Sequence, residues 1–184
     1  LSDLHRHAAE LEAGLDIIRQ SPKDAGELKM IVRRPDVNLR EVLEIADLDL
    51  SNGLVGDNWK AKGSSRTDDG QAHPDMQLNI MNARAIEWIA LAPDRWPLAG
   101  DQLYIDLDLS RENLPPGTRL ALGDAIIEVT AQPHTGCKKF VERFGFDAML
   151  FVNSEVGRSL NLRGINAKVI QPGRIQVGDL VTKL

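Results

Sequence analysis

TRLALGDAIIEVTA, residues 118–131, carries two short apolar runs, one on each side of Gly123-Asp124. Glycine accepts a positive φ and aspartate hydrogen-bonds its own backbone, so this pair marks a turn between two strands. The same pattern repeats outward in both directions. MQLNIM at 76–81, DQLYIDL at 101–107 and INAKVI at 165–170 are further apolar runs of strand length, and Pro115-Pro116-Gly117, Pro172-Gly173 and Gly178-Asp179 punctuate the chain around them. From Glu27 the apolar period is two: Leu28, Met30 and Val32 alternate with Lys29, Ile31 and Arg33 until Pro35. Several short strands bounded by turn residues predict a β-rich sandwich or barrel.

Helical spacing appears in three places. In LSDLHRHAAELEAGLDIIRQSP, residues 1–22, Leu1, Leu4, Ala8, Leu11, Leu15 and Ile18 recur at steps of three and four, one stripe of a single amphipathic helix. Pro22 stops it, because proline lacks the amide proton a continuing helix needs. The stripe docks on the body of the protein or pairs with a second copy in a homodimer, and His5 and His7 are read as solvated. Asn82 is placed to cap a helix over ARAIEWIALA, which Pro93 closes. Another helix is expected from Cys137, with Phe140, Val141 and Phe144 on one side and Gly145 as its stop. KAKGSSRTDDGQAH, residues 60–73, reads as a mobile surface loop. Two units are expected: the helix over 1–22 and a β-rich domain over 27–184.

Composition excludes several classes. The 184 residues hold 22 basic and 27 acidic side chains, a formal net charge of −5, with the signs interspersed, so no nucleic-acid footprint is expected. No apolar run approaches the roughly 20 residues of a membrane-spanning helix. The single cysteine, Cys137, cannot form an internal bridge, which points to a reducing cytoplasm. With histidines at 5, 7, 73 and 134, neither Cys-x-x-Cys nor His-Glu-x-x-His occurs, and there is no glycine-rich phosphate loop.

The chemistry therefore centres on PHTGCKKF, residues 133–140. A lone cysteine is commonly a buried filler. Here Lys138, Lys139 and His134 supply cations and Gly136 precedes an expected helix start, conditions that favour a thiolate. A cysteine hydrolase using His134 as base ranks second, since three residues of separation on a turn do not establish contact. Asp57, in Gly56-Asp57-Asn58-Trp59, is a candidate cleft wall, whereas Gly100-Asp101 and Gly178-Asp179 read as simple turns. Basic residues at 138, 139, 143, 158, 163 and 174 form either a solvated face or a clamp for one phosphate group.

Read in order, NGLVGDNW at 52–59, QLNIMNARAIE at 77–87, AGDQLYIDLDLS at 99–110, LPPGTRLALGDAIIEVT at 114–130, the cysteine of PHTGCKKF and LRGINAKVIQPGRIQVGD at 162–179 resemble the MOSC domain, the module named for the carboxy-terminal part of molybdenum cofactor sulfurases. The resemblance spans 27–184. It implies a β-rich α+β fold, a barrel-like mixed or antiparallel core with a few peripheral helices. It also implies that Cys137 either ligates the molybdenum of a pterin cofactor or carries sulfur as a persulfide, with His134, Thr135, Lys138, Lys139, Arg163, Asp57 and Asn79 around the cofactor. Arg163, Lys138 and Lys139 are suited by charge to the cofactor's phosphate. Some stand-alone members resemble reductases of N-hydroxylated small molecules that work with electron-transfer partners; the other expected partner is a sulfur or cofactor donor protein. The sequence departs from many relatives at Gly136, where proline is common, at Asn58-Trp59, where histidine is common, and at Gly100-Asp101-Gln102, where Gly-Glu-Asn is common. No pyridoxal-phosphate desulfurase is attached, and no lysine site for that cofactor is evident. The competing reading is a non-catalytic sulfur-delivery or ligand-binding scaffold whose cysteine is inert and buried.

Overall fold

The computed structural model describes residues 4–184; Leu1, the first position of the predicted stripe, lies outside the described residues. In chain order the strands are β1 (Ala25–Arg33), β2 (Glu41–Leu43), β3 (Ile45–Asp49), β4 (Gly53–Leu54), β5 (Leu78–Asn82), β6 (Leu103–Asp106), β7 (Arg119–Leu122), β8 (Ala125–Val129), β9 (Ile165–Gln171), β10 (Gly173–Gln176) and β11 (Leu180–Lys183). The helices are α1 (Ala8–Ala13), α2 (Leu15–Arg19), α3 (Trp59–Lys62), α4 (Ala83–Ala90), α5 (Lys138–Phe144), α6 (Phe146–Asn153) and α7 (Glu155–Ser159).

Seven strands close on themselves in the order β11-β7-β8-β9-β5-β6-β1, with β1 pairing back to β11, and β2 extends the sheet from β1. Only β5–β6 is parallel; the other pairs are antiparallel. Closure removes the unpaired edges that an open sheet of this size would present. A separate three-stranded sheet runs β10-β3-β4. The β-rich α+β fold read from the sequence is the observed one, and of its two open forms the barrel is realised.

The apolar residues segregate into two cores. Leu28, Ile31, Leu78, Ile80, Leu103, Ile105, Leu120, Leu122, Ile127 and Val181 fill the barrel. Val32, Met81, Tyr104, Ile86, Ile89, Phe140, Phe144 and Phe151 form an outer layer between sheet and helices. Alternation along a strand is what sends Leu103 and Ile105 inward and Tyr104 outward. In β1 the predicted single face of Leu28, Met30 and Val32 is corrected: the pairing with β6 slips between Leu28 and Met30, so Leu28 and Ile31 both enter the barrel while Val32 joins the outer core. One extra residue in a strand reverses every later side chain.

The helices show where local rules hold. Asn82 caps α4 as expected, its side-chain oxygen accepting from the Ala85 amide at 2.9 Å. The single helix expected over 1–22 is instead two short ones, α1 and α2, meeting at Gly14. The carbonyl of Glu10, which a continuous helix would offer to the Gly14 amide, accepts from the Trp88 indole at 2.9 Å, and the Gly14 amide turns to Leu11 at 3.1 Å. A Cβ on Gly14 would overlap the indole ring, so this approach requires glycine. Leu11 and Ile18 are buried in the outer core, whereas Leu4 and Ile17 are exposed. His7 is exposed as expected, but His5 is half-buried beside Gly145. The polar segment 60–73 is laced to itself: the Thr67 hydroxyl donates toward the carbonyls of Ser64 and Gln71, at 3.0 and 2.6 Å.

Candidate functional site

One end of the barrel gathers the end of β1, the start of β5, the turn before β6, the segment between β8 and α5, and the turn before β9. There Arg34, Asn79, Gly100, His134, Cys137 and Arg163 line one cavity of about 240 Å³, and Arg40, Lys62, Lys139 and Arg143 stand around the same space. Asp36 is the only carboxylate on the lining. In a chain of net charge −5, this is a strong local reversal of sign.

The floor is built from two ion pairs. Arg34 grips Asp57 through two parallel bonds, Nε to Oδ1 at 2.9 Å and Nη2 to Oδ2 at 2.7 Å, while its Nη1 donates to Asn79 Oδ1 at 3.0 Å and to the Gly100 carbonyl at 2.9 Å. The Asp57 carboxylate has no exposed surface. It also accepts from the backbone amides of Arg34 and Trp59 and from Gln102 Nε2. Asp57 is therefore a correction: it does not line the cavity, and it holds the arginine that does.

Asp101 is the second anchor. One oxygen faces His134 Nε2 at 2.7 Å, and the other accepts from Arg163 Nη1 at 2.6 Å. Arg163 Nη2 donates to the Ala99 carbonyl at 2.8 Å, leaving its buried Nε without a partner among the described residues. Burial alone would raise the carboxyl pKa of Asp101, yet Arg163 and His134 together pull it below the ordinary carboxylate value. For His134, burial is the main effect and Arg163 adds to it; both lower its pKa against the opposing pull of Asp101, so the ring is neutral at pH 7. An ionised carboxylate only accepts hydrogen bonds, so we assign the hydrogen to Nε2 and leave Nδ1 as the acceptor. Gly164, at φ +118°, passes so close to the Ile80 carbonyl and the His134 ring that a Cβ there would clash with both. Gly100-Asp101, read from sequence as a simple turn, is thus part of the site.

The rim differs from the floor. No carboxylate lies within ion-pair distance of Arg40, Lys62, Lys139 or Arg143 among the described residues. Arg40 donates only to carbonyls, those of Pro97 and Leu39, and Arg143 donates to that of Leu98. Partial desolvation and repulsion from Arg143 and Arg34 lower the pKa of Arg40. Lys62 is lowered likewise, first by desolvation and then by Arg34, Lys139 and Arg40. Like charges held this close favour an anion between them.

Cys137 sits at the cavity mouth as the residue before α5, and it is exposed. That exposure overturns the burial assumed in the competing reading. Of the other predicted site residues, His134, Lys139, Arg163 and Asn79 line the cavity, whereas Thr135 and Lys138 are exposed and do not. Asn79 has both ends of its amide engaged, since Nδ2 donates to Asn166 Oδ1 at 2.6 Å. Sequence reasoning missed Arg34, Arg40 and Lys62. The one available signal was the paired Arg33-Arg34 closing a strand before Pro35. Of the late basic cluster, Lys139, Arg143 and Arg163 reach the cavity, while Arg174 pairs with Asp47 and Lys138 and Arg158 lie elsewhere.

Comparison with known proteins agrees with the fold. The family described as the MOSC domain matches residues 68–182. The chain belongs to the MOSC domain family. No curated protein matches it. Among solved structures, it is similar to the YuaD protein of Bacillus subtilis, with a TM-score of 0.64 and 19% identity over 85% of this chain and 94% of that one. YiiM from Escherichia coli gives 0.54 and 22% over 86% and 69%, and YiiM from Geobacillus stearothermophilus gives 0.50 and 14% over 86% and 73%. These likenesses concern the fold.

The MOSC match begins after Arg34, Arg40, Asp57 and Lys62, although β1 lies within the barrel. The departures from common MOSC residues have structural partners here. Gly136 exchanges bonds with Asn153, its amide donating to Oδ1 at 2.9 Å, which a proline could not do. Gln102 joins Asp57 to the Asn79 amide, and Asp101 joins Arg163 to His134.

Proposed function

We propose that the cavity beside Cys137 holds a molybdenum cofactor, with the Cys137 thiolate as metal ligand and the rim cations receiving the cofactor's phosphate. The observation that carries this reading is the exposed thiol at the mouth of a cavity ringed by cations that have no carboxylate partner among the described residues. A soft sulfur donor suits molybdenum, and guanidinium and ammonium groups suit a phosphate. The residues present fit such a group. When bound, the cofactor supplies two-electron redox chemistry, and small N-oxygenated compounds are the substrate class we assign.

The protein's own part is positioning. Arg40, Lys139 and Arg143 orient the anionic end, while Arg34 and Arg163, tied to buried carboxylates, keep the walls in place. Asp101 fixes the His134 hydrogen on Nε2, so Nδ1 is the atom able to accept a proton. Phe140 and the buried Arg163 side chain, whose guanidinium lies 5.1 Å from the ring centroid, form the inner wall.

The exposure of Cys137 also favours a second reading, sulfur carriage, because a donor protein can reach a thiol at the surface. One experiment separates them. Protein purified from a cofactor-producing host is assayed for molybdenum and labile sulfur, as wild type and as Cys137→Ala. Metal that disappears with the thiol supports the cofactor. Labile sulfur without metal supports carriage, and a chain carrying neither, or metal indifferent to the substitution, overturns both.

A further inference from the structure

Lys62 is the cation that the cofactor reading leaves without a specific task. It closes α3 and forms part of the wall shared by two spaces: the Cys137 cavity and a second bay, also about 240 Å³, which Trp59, Ser64, Arg66 and His73 help to line. Among the described residues its ammonium group has no hydrogen-bonding or ion-pairing partner, unlike Arg34 on the same wall, whose three guanidinium nitrogens are each engaged. Arg34, Lys139 and Arg40 are the cations that act on it; Asp57, the carboxylate that opposes them, is committed to Arg34, and Asp36 lies on the same cavity lining. An amine placed this way spends more of its time as the neutral nucleophile than a solvated lysine does.

The surroundings also choose an electrophile. Arg40, Lys139 and Arg143 border the same cavity without carboxylate partners among the described residues, so a compound bearing a phosphate has cations to dock on in the space that Lys62 also lines. We propose that Lys62 is a modification site for small phosphorylated aldehydes, which form a reversible imine with its Nζ. The nitrogen adds to the carbonyl carbon, the carbon–oxygen bond breaks, and the oxygen leaves as water with the two amine hydrogens. No electrons are exchanged with another reagent. The adduct occupies the mouth beside Cys137 and hinders access to the thiol. This inference shares the phosphate-seeking rim with the cofactor reading, but its bond-forming step needs neither the thiol nor a metal.

Glycolaldehyde phosphate and glycolaldehyde are the probes, with borohydride to trap the imine and peptide mass mapping to locate it. Lys62 is expected to label about tenfold faster with the phosphorylated probe than with the neutral one, the factor one well-placed phosphate contact supplies. Inorganic phosphate should compete, and alkylation of Cys137 should slow in the trapped protein. Lys62→Arg should abolish the fast-labelling site, while Lys139→Arg should leave it on Lys62. Label spread evenly over the surface lysines, label concentrated on Lys138 or Lys139, or equal rates for the two probes would overturn the proposal. The absence of molybdenum from the purified protein would leave this result unaffected, so failure of one reading is distinguishable from failure of the other.

Discussion

Arg34 and Arg163 lie in the cavity floor with their charges matched by Asp57 and Asp101, whereas Arg40, Lys62, Lys139 and Arg143 stand at its rim with no carboxylate within ion-pair distance among the described residues. Both sets are cationic and within one small space, yet they do different work. A buried arginine must be paired and hydrogen-bonded or the desolvation of its charge goes uncompensated. A rim cation can rely on water until an anion arrives. The floor therefore contributes shape and the rim contributes affinity, and mutation should separate the two.

The largest effect is expected in the floor. Asp101→Asn removes the charge partner of Arg163 and leaves one acceptor oxygen where His134 and Arg163 now have two, and should lower folding stability by about 3–5 kcal/mol in chemical denaturation, the usual cost of stranding one half of a buried pair. A loss within the range of surface substitutions would mean that the floor is no more structural than the rim.

Acid titration sharpens the contrast at intermediate scale. The pKa of His134 is lowered in the folded state, so the unfolded chain takes up its proton first. The stabilisation is complete above the ordinary histidine value of about 6.5 and is lost as pH falls from there toward the folded pKa. Asp101, also lowered, holds its contribution down to the ordinary carboxylate value of about 3.9 and loses it below. Denaturation midpoints should therefore fall between pH 7 and pH 5 in the wild type and fall less in His134→Gln. Equal slopes would remove His134 from the floor's energetics.

The smallest stability effect belongs to the rim. Arg40→Ala combined with Lys139→Ala should leave folding stability within about 0.5 kcal/mol per site, because each is a surface-type substitution. The same variant should bind inorganic phosphate more weakly and with a shallower dependence on salt. A large stability loss together with unchanged phosphate binding would reverse the assignment of the two layers.

How much of this was legible depended on the range of the forces involved. The turn at Gly123-Asp124 and the Asn82 cap are local, and β7, β8 and α4 follow from a few adjacent residues. Strands β2 and β4 are three and two residues long, too short to show a period, and in the five residues of β3 only Ala46 and Leu48 alternate with Asp47 and Asp49. α6 and α7 were missed as well; the outer core that buries Phe151 and Val152 is contributed from other parts of the chain. The bulge in β1 and the break at Gly14 were hidden for the same reason. Each is imposed by a partner far along the chain, Tyr104 opposite Met30 in one case and Trp88 in the other.

At the site, Cys137 could be singled out because thiol chemistry is carried by the residue itself and by its immediate neighbours. Thr135 and Lys138 shared that neighbourhood in sequence but fall outside the cavity, since adjacent side chains leave the backbone in different directions. Asp101 looked like a turn residue because nothing local reveals that Arg163 and His134 converge on it, 62 and 33 positions away.

The sequence by itself determined a β-rich chain of short strands, its turns, one helix cap and the single residue able to offer a thiolate. These depend on backbone preferences and side-chain chemistry that act within a few residues. Tertiary structure alone decided that seven strands close, and that Arg34, Arg40 and Lys62 meet Lys139, Arg143 and Arg163 across 77 to 129 positions of chain to make one anion-seeking mouth. The physical reason is that closure of the barrel, not proximity in sequence, sets which charges share a low-dielectric neighbourhood.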